Sequence, residues 1–219
     1  MKVLITGTSQ GIGLATALKF LKHGHIVVGI DTQSPPELLS MHHRYFHFTA
    51  DVRNIDNLPG INKVNVLINN AGVQNEADNI DVNLNGVINC CNKYAFNSSI
   101  EAVINVASVS AHNGAEYPLY TASKGGVLAY TKWLAQELSE YGATANSISP
   151  GGVITPMTED IWNDEQKRKA VLDETLLCKW ATAEEIADWI FFLSVVNKSM
   201  TAQDIIIDNG ETAKYNFIQ

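Results

Sequence analysis

Seven short runs of apolar and β-branched residues punctuate the chain: "KVLI" at 2–5, "HIVVGI" at 25–30, "YFHF" at 45–48, "VNVLIN" at 64–69, "EAVINVA" at 101–107, "ATANSIS" at 143–149 and "DIIID" at 204–208. Runs of this length, bounded by glycine and polar turn residues, predict strands. Most are separated by longer stretches with apolar residues at helical spacing, such as "LATALKFLKHG" after the first. Continuous apolar runs, rather than apolar and polar residues in alternation, suit strands covered on both faces, as in a parallel sheet between two layers of helices. The pattern therefore predicts a doubly wound α/β fold of about seven strands, which binds ligands at the carboxyl ends of its strands where the winding reverses. No repeat, low-complexity tract or linker divides the chain, so residues 1–219 are expected to form one domain.

Composition narrows the functional classes. At 46% hydrophobic and 17% charged residues, the chain has the make-up of an ordinary soluble globular protein. The apolar run in "MKVLITGTSQ" is broken by Thr6 and Gly7, too soon for a signal-peptide core or a membrane span, and a cytoplasmic location is expected. The formal net charge of −8 and scattered basic residues argue against nucleic acid or a membrane surface as partner, and "KRK" at 167–169 reads as a solvated helix face. Cys90 and Cys91 are adjacent on an apolar helical stretch, which suits reduced core thiols. His43 and His47 fall on one strand face without cysteine or carboxylate neighbours, so no metal site is expected.

Candidate chemistry lies after the first two strands. "TGTSQGIG" at 6–13 places Gly7, Gly11 and Gly13 between a strand and a helix, where glycines permit a tight turn and the free N–H groups and dipole of the helix favour a pyrophosphate. The second strand ends at Asp31, close to where an acidic side chain accepts hydrogen bonds from an adenosine ribose. A carboxylate there repels a 2′-phosphate, and Thr8, Ser9 and Gln10 offer no cation to attract one. NAD is thereby favoured over NADP.

Further on, "EYPLYTASKGG" at 116–126 holds two tyrosines and a lysine. On a helix Tyr120 faces Lys124, four residues on, whereas Tyr117 faces Thr121. A phenol beside an ammonium is moved towards acid–base use at neutral pH, so Lys124 is expected to lower the pKa of Tyr120.

With these motifs in order, the chain resembles the short-chain dehydrogenase/reductase family, as a shortened member of its classical type. "TGTSQGIG" is similar to its glycine-rich turn, "NNAG" at 69–72 to its fourth-strand motif, "YTASK" at 120–124 to its Tyr-x-x-x-Lys, and "SPGGVIT" at 149–155 to its Pro-Gly segment. The resemblance implies a Rossmann-type NAD(P)-binding fold. It assigns Gly7, Ser9, Gln10, Gly11, Ile12, Gly13 and Asp31 to the cofactor, with Asp51 and Val52 at the adenine. Asn69, Ala71 and Gly72 would line the cofactor, and Pro150, Gly151, Val153 and Thr155 would run beside the nicotinamide. Asn83, Ser108, Tyr120 and Lys124 fall on the four catalytic positions, Tyr120 and Lys124 also meeting the cofactor. Asn85 and Ser110 are rivals for Asn83 and Ser108.

The expected activity is NAD-dependent interconversion of a secondary alcohol and a ketone, with Tyr120 as acid/base. An NADPH-dependent 3-ketoacyl-type carbonyl reductase and a non-catalytic NAD-binding sensor or scaffold are the alternatives. Two stretches are shorter than the family pattern, 51–69 and 72–83, so a peripheral helix and part of the wall beside the site are expected to be reduced. Residues 157–180 read as a helical lid, in which Trp162, Leu172 and Leu176 are candidates to cover a small-molecule alcohol or ketone. His112 and Asn113 are placed to touch it. The helix after Tyr120 carries apolar residues on more than one face, which suits a homodimer or homotetramer.

Overall fold

The structure, a computed structural model, describes residues 1–75 and 77–214. Its strands are β1 (Lys2–Thr6), β2 (Ile26–Asp31), β3 (Tyr45–Thr49), β4 (Val66–Asn69), β5 (Ala102–Val106), β6 (Thr144–Pro150), β7 (Val153–Ile154), β8 (Ala181–Thr182) and β9 (Asp204–Ile207). Seven of them form one parallel sheet in the order β3-β2-β1-β4-β5-β6-β9. They coincide with the seven apolar runs; β7 and β8 pair separately and are too short to leave a periodic signal. The winding reverses between β1 and β4, which opens a crevice at their carboxyl ends.

The helices are α1 (Gly11–Lys22), α2 (Glu37–Ser40), α3 (Gly86–Tyr94), α4 (Ser110–Asn113), α5 (Pro118–Glu137), α6 (Glu159–Trp162), α7 (Glu165–Asp173) and α8 (Ala183–Phe191). Because strand side chains alternate, successive residues of β1 feed opposite cores. Leu4 joins Leu67, Val103, Val127 and Leu134 beneath α3 and α5. Val3 and Ile5 join Val66, Phe20 and Ile186 beneath α1 and α8. Among the described residues no helix is long and apolar enough to cross a membrane.

The shortened stretches explain local features. Between β3 and β4 the chain makes only a 3₁₀ turn, Ile55–Asn57, tied down where Lys93 Nζ donates to Ile55 O (2.9 Å) and Tyr94 OH to Pro59 O (2.8 Å). With so little chain to cover it, β3 leaves Phe46 and Phe48 exposed, at 52% and 41%. Before α3 the chain winds into a π-helical turn, Asp81–Asn85. Such turns widen a helix by one residue and recur at functional sites. In the lid region α6 and α7 form short helices and Trp162 stacks on Trp180, ring centroids 6.1 Å apart, while Leu176 is exposed.

Candidate active site

The glycine turn after β1 is fixed from two sides. A Cβ at Gly13 would lie 1.9 Å from Gly7 O, so the helix start and the turn touch backbone to backbone, and Gly7 adopts a φ of +74° that side chains disfavour. Asn70 holds the turn from β4: its Nδ2 donates to Thr6 O and Gly7 O, both at 3.0 Å, and Thr6 Oγ1 accepts from the N–H groups of Asn70 and Ala71. Gln10, at the N-cap of α1, makes no side-chain capping bond, so the first N–H groups of the helix have no side chain of their own to cap them. Those donors, at a helix N-terminus beside bare glycine backbone, fit a pyrophosphate.

Asp31 ends β2 with both carboxylate oxygens engaged, one accepting from Ser9 N (2.9 Å) and the other from Gln33 N (3.0 Å). Ile12 packs inward from α1. Thr155 Cγ2 would be 3.4 Å from a Cβ at Gly11, so the segment after β6 closes over the glycine turn. Pro150 O accepts from Val109 N, Gly151 N donates to Ile207 O, and Val153 is buried.

Three expected cofactor residues have their side chains engaged elsewhere. Asn69 turns its side chain into the core, where Nδ2 donates to Asn105 Oδ1 (2.8 Å) and Cys91 Sγ (3.2 Å); Asn70, one residue on, is the one that meets the glycine turn. Val52 buries its side chain against Gly86, and the Asp51 carboxylate is held by Arg53, whose hydrogen bonds keep it below the usual carboxylate range. Ala71 and Gly72 lie at the crevice, with a Cβ at Gly72 falling 3.2 Å from Asn83 Oδ1 and 3.6 Å from Lys124 Nζ.

The four candidate catalytic residues converge. Gly126 lets α5 approach the π-helical turn so closely that a Cβ there would meet Leu84 at 2.7 Å, and this seats Asn83 against the first turns of α5. Asn83 is 1% exposed; its amide accepts from Val73 N (2.8 Å) and donates to Val73 O (2.9 Å) and Ser123 Oγ (3.3 Å). Asn85 instead bonds Asp81 at the surface. Lys124 Nζ lies 5.6 Å from the centre of the Tyr120 ring and donates to Val106 O (2.9 Å). Ser108 follows β5, buried, with its Oγ accepting from Ser110 N (3.2 Å) and its hydroxyl acting to lower the pKa of Tyr120, while the hydroxyl of Ser110 is buried without a partner among the described residues.

The electrostatics correct one expectation. Burial pushes the Tyr120 phenol up to about 12, the Glu116 carboxylate adds to this, and Ser108 pulls the other way. Burial likewise lowers Lys124 to about 8, against a rise due to Glu116. Desolvation therefore sets the direction of both shifts, and Tyr120 moves up where the sequence suggested that it would move down.

Glu116 carries no motif in the sequence that marks it as part of the site. It sits at a φ of +77° just ahead of α5, accepts a hydrogen bond from Gln74, and is raised by desolvation. His112 proves not to face the catalytic residues: its Nε2 meets Asp204 Oδ2 at 2.8 Å and Ser149 Oγ at 3.3 Å, over the far edge of the sheet. Asn113 bonds its own loop at Ala115, and Tyr117 is half exposed at the N-cap of α5. His43 precedes β3 and stacks on His42, so it shares no strand face with His47.

Comparison with known proteins agrees with this geometry. A family model described as short chain dehydrogenase matches residues 1–166. The chain is 29% identical over 240 residues to 2-dehydro-3-deoxy-D-gluconate 5-dehydrogenase of Escherichia coli, covering 96% of this chain and 95% of that one. It is 30% identical over 237 residues to the 3-oxoacyl-(acyl-carrier-protein) reductase FabG of Thermotoga maritima, covering 94% and 96%. Among solved structures, a protein from Agrobacterium tumefaciens provisionally assigned as a 2-deoxy-D-gluconate 3-dehydrogenase, with bound NADP, superposes with a TM-score of 0.89 at 28% identity, covering 97% of this chain and 96% of that one. The chain belongs to the short-chain dehydrogenase family of oxidoreductases.

Proposed function

We propose that this protein is an NAD-dependent oxidoreductase that interconverts a secondary alcohol and a ketone, with Tyr120 giving or taking the proton on the substrate oxygen. The observation that carries the proposal is the convergence of Tyr120, Ser108 and the buried Lys124 beside a glycine turn built to receive a dinucleotide. Gly7, Ser9, Gln10, Gly11, Ile12 and Gly13 would hold the pyrophosphate, Asp31 the adenosine ribose, and the 150–155 segment the nicotinamide end. When bound, the nicotinamide supplies the hydride donor or acceptor and, in its oxidised form, a positive charge beside Tyr120.

Tyr120, protonated at neutral pH, is in the form that donates to a carbonyl oxygen. Ser108 offers a hydroxyl to the same oxygen and stabilises charge developing there. Lys124 spends one of three donors on Val106 O, which leaves others for ribose hydroxyls. Asn83 holds the chain after β4 through its paired bonds with Val73 and so fixes the wall next to Lys124. Trp133, 45% exposed on α5, suits pairing with a second subunit, in a homodimer or homotetramer.

A second reading, NADPH-dependent reduction of a 3-ketoacyl group, is favoured by the resemblance to 3-oxoacyl reductases and by NADP in related structures. Asp31 separates the two, because a carboxylate there repels a 2′-phosphate. Titration of the purified protein with NADH and with NADPH, followed by cofactor fluorescence, is expected to show tighter binding of NADH. Equal or tighter binding of NADPH would remove the NAD assignment, and binding of neither would remove the whole reading.

A further inference from the structure

We propose that Tyr45 and His47, on β3, are positioning residues for the adenosine ribose, which they serve by closing a hydrogen-bonded ring around Asp31; the proposal rests on the assignment of Asp31 to that ribose. The ring begins in the glycine turn. Thr8 Oγ1 lies 2.8 Å from Tyr45 OH, Tyr45 OH lies 2.9 Å from His47 Nδ1, and His47 Nε2 lies 3.0 Å from Gln33 O. Gln33 N then donates to one oxygen of Asp31, and Ser9 N, the next residue after Thr8, donates to the other. Ser9 Oγ adds a strut by donating to Gln33 O at 3.3 Å. Five residues from β3, the turn after β1 and the turn after β2 thus hold one carboxylate from both sides.

The ring has room because of Gly29. A Cβ there would lie 2.1 Å from Tyr45 OH and 2.5 Å from Thr8 Oγ1, so any side chain at that position would break the contact between them. Thr8 is fully buried and Tyr45 is 8% exposed, so neither hydroxyl has water as a ready substitute for the other.

Donor and acceptor directions follow from the chemistry. Gln33 O can only accept, so His47 Nε2 carries the proton and the neutral ring presents a lone pair at Nδ1. Tyr45 must then donate to Nδ1, and Thr8 to the Tyr45 oxygen.

The test is the ratio of the dissociation constants for NADPH and NADH, read by cofactor fluorescence, so no substrate is needed. Tyr45→Phe and His47→Ala are expected to narrow the wild-type ratio by about fivefold, the scale of one lost buried hydrogen bond. His47→Gln should retain it, since an amide offers a donor and an acceptor in one group. In an Asp31→Ala background Tyr45→Phe should add nothing, because the ring acts through that carboxylate; an undiminished effect there would mean general loosening and would overturn the proposal. So would a Tyr45→Phe protein with a native melting temperature and the full preference for NADH. A wild type with no preference would instead show that Asp31 itself was misread, and the ring would fall with it.

Discussion

Lys124 should destabilise the fold that holds it. It is 5% exposed, and burial lowers its pKa from 10.5 to about 8. At about 1.4 kcal/mol per pH unit, that gap corresponds to about 3 kcal/mol lost wherever the unfolded chain carries the charge freely and the folded one carries it under penalty. The sign follows from the depressed value: the cost is fully present below pH 8 and is relieved as pH rises towards 10.5. Lys124→Met keeps the length of the side chain and removes the charge, but strands the Val106 carbonyl, a loss of about 1 kcal/mol. The variant should therefore be more stable than wild type by about 2 kcal/mol at neutral pH. This advantage should shrink above pH 8 and vanish near pH 10. Guanidinium unfolding curves at about pH 7 and about pH 10 measure it directly. A variant less stable than wild type at neutral pH, or a difference that ignores pH, would refute the reasoning.

Three more outcomes follow from contacts in the site. Gly13→Ala places a Cβ against Gly7 O and Asn70 Nδ2, at 1.9 and 2.5 Å, and should cost about 2 kcal/mol or more in stability, seen as a lowered melting temperature, together with NADH affinity. Asn70→Ala removes two donors from the glycine turn and should weaken NADH about tenfold in a fluorescence titration, while Asn69→Ala, acting in the core, should lower the unfolding midpoint instead. Glu116→Gln removes a charge that raises Tyr120, so the rising limb of the pH profile for alcohol oxidation should move to lower pH; movement to higher pH would contradict the placement of Glu116.

What the sequence revealed was what local spacing encodes. The seven strands, the glycine turn and the pairing of Tyr120 with Lys124 all depend on residues within a few positions of one another, where a period of two or four decides which side chains meet. The choice between Asn69 and Asn70 depends on where β4 stops alternating, which "NNAG" does not reveal. Glu116 was hidden because its role comes from Gln74 and from a left-handed backbone conformation, neither visible in "AEYPL". Tyr45 and Thr8 are 37 positions apart and meet only because Gly29 lacks a side chain. The balance of charges on Tyr120 also escaped, because burial depends on how α5, the π-helical turn and the loop after β5 close together.

The central claim is that Tyr120 moves a proton in a nicotinamide-dependent reaction. The most direct test is turnover by wild type and Tyr120→Phe across a panel of secondary alcohols with NAD and ketones with NADH, alongside NADH titration of both proteins. The expected result is NADH bound by both, with turnover reduced by about a hundredfold or more in the variant, the scale of a lost general acid. Turnover by Tyr120→Phe at the wild-type rate would contradict it.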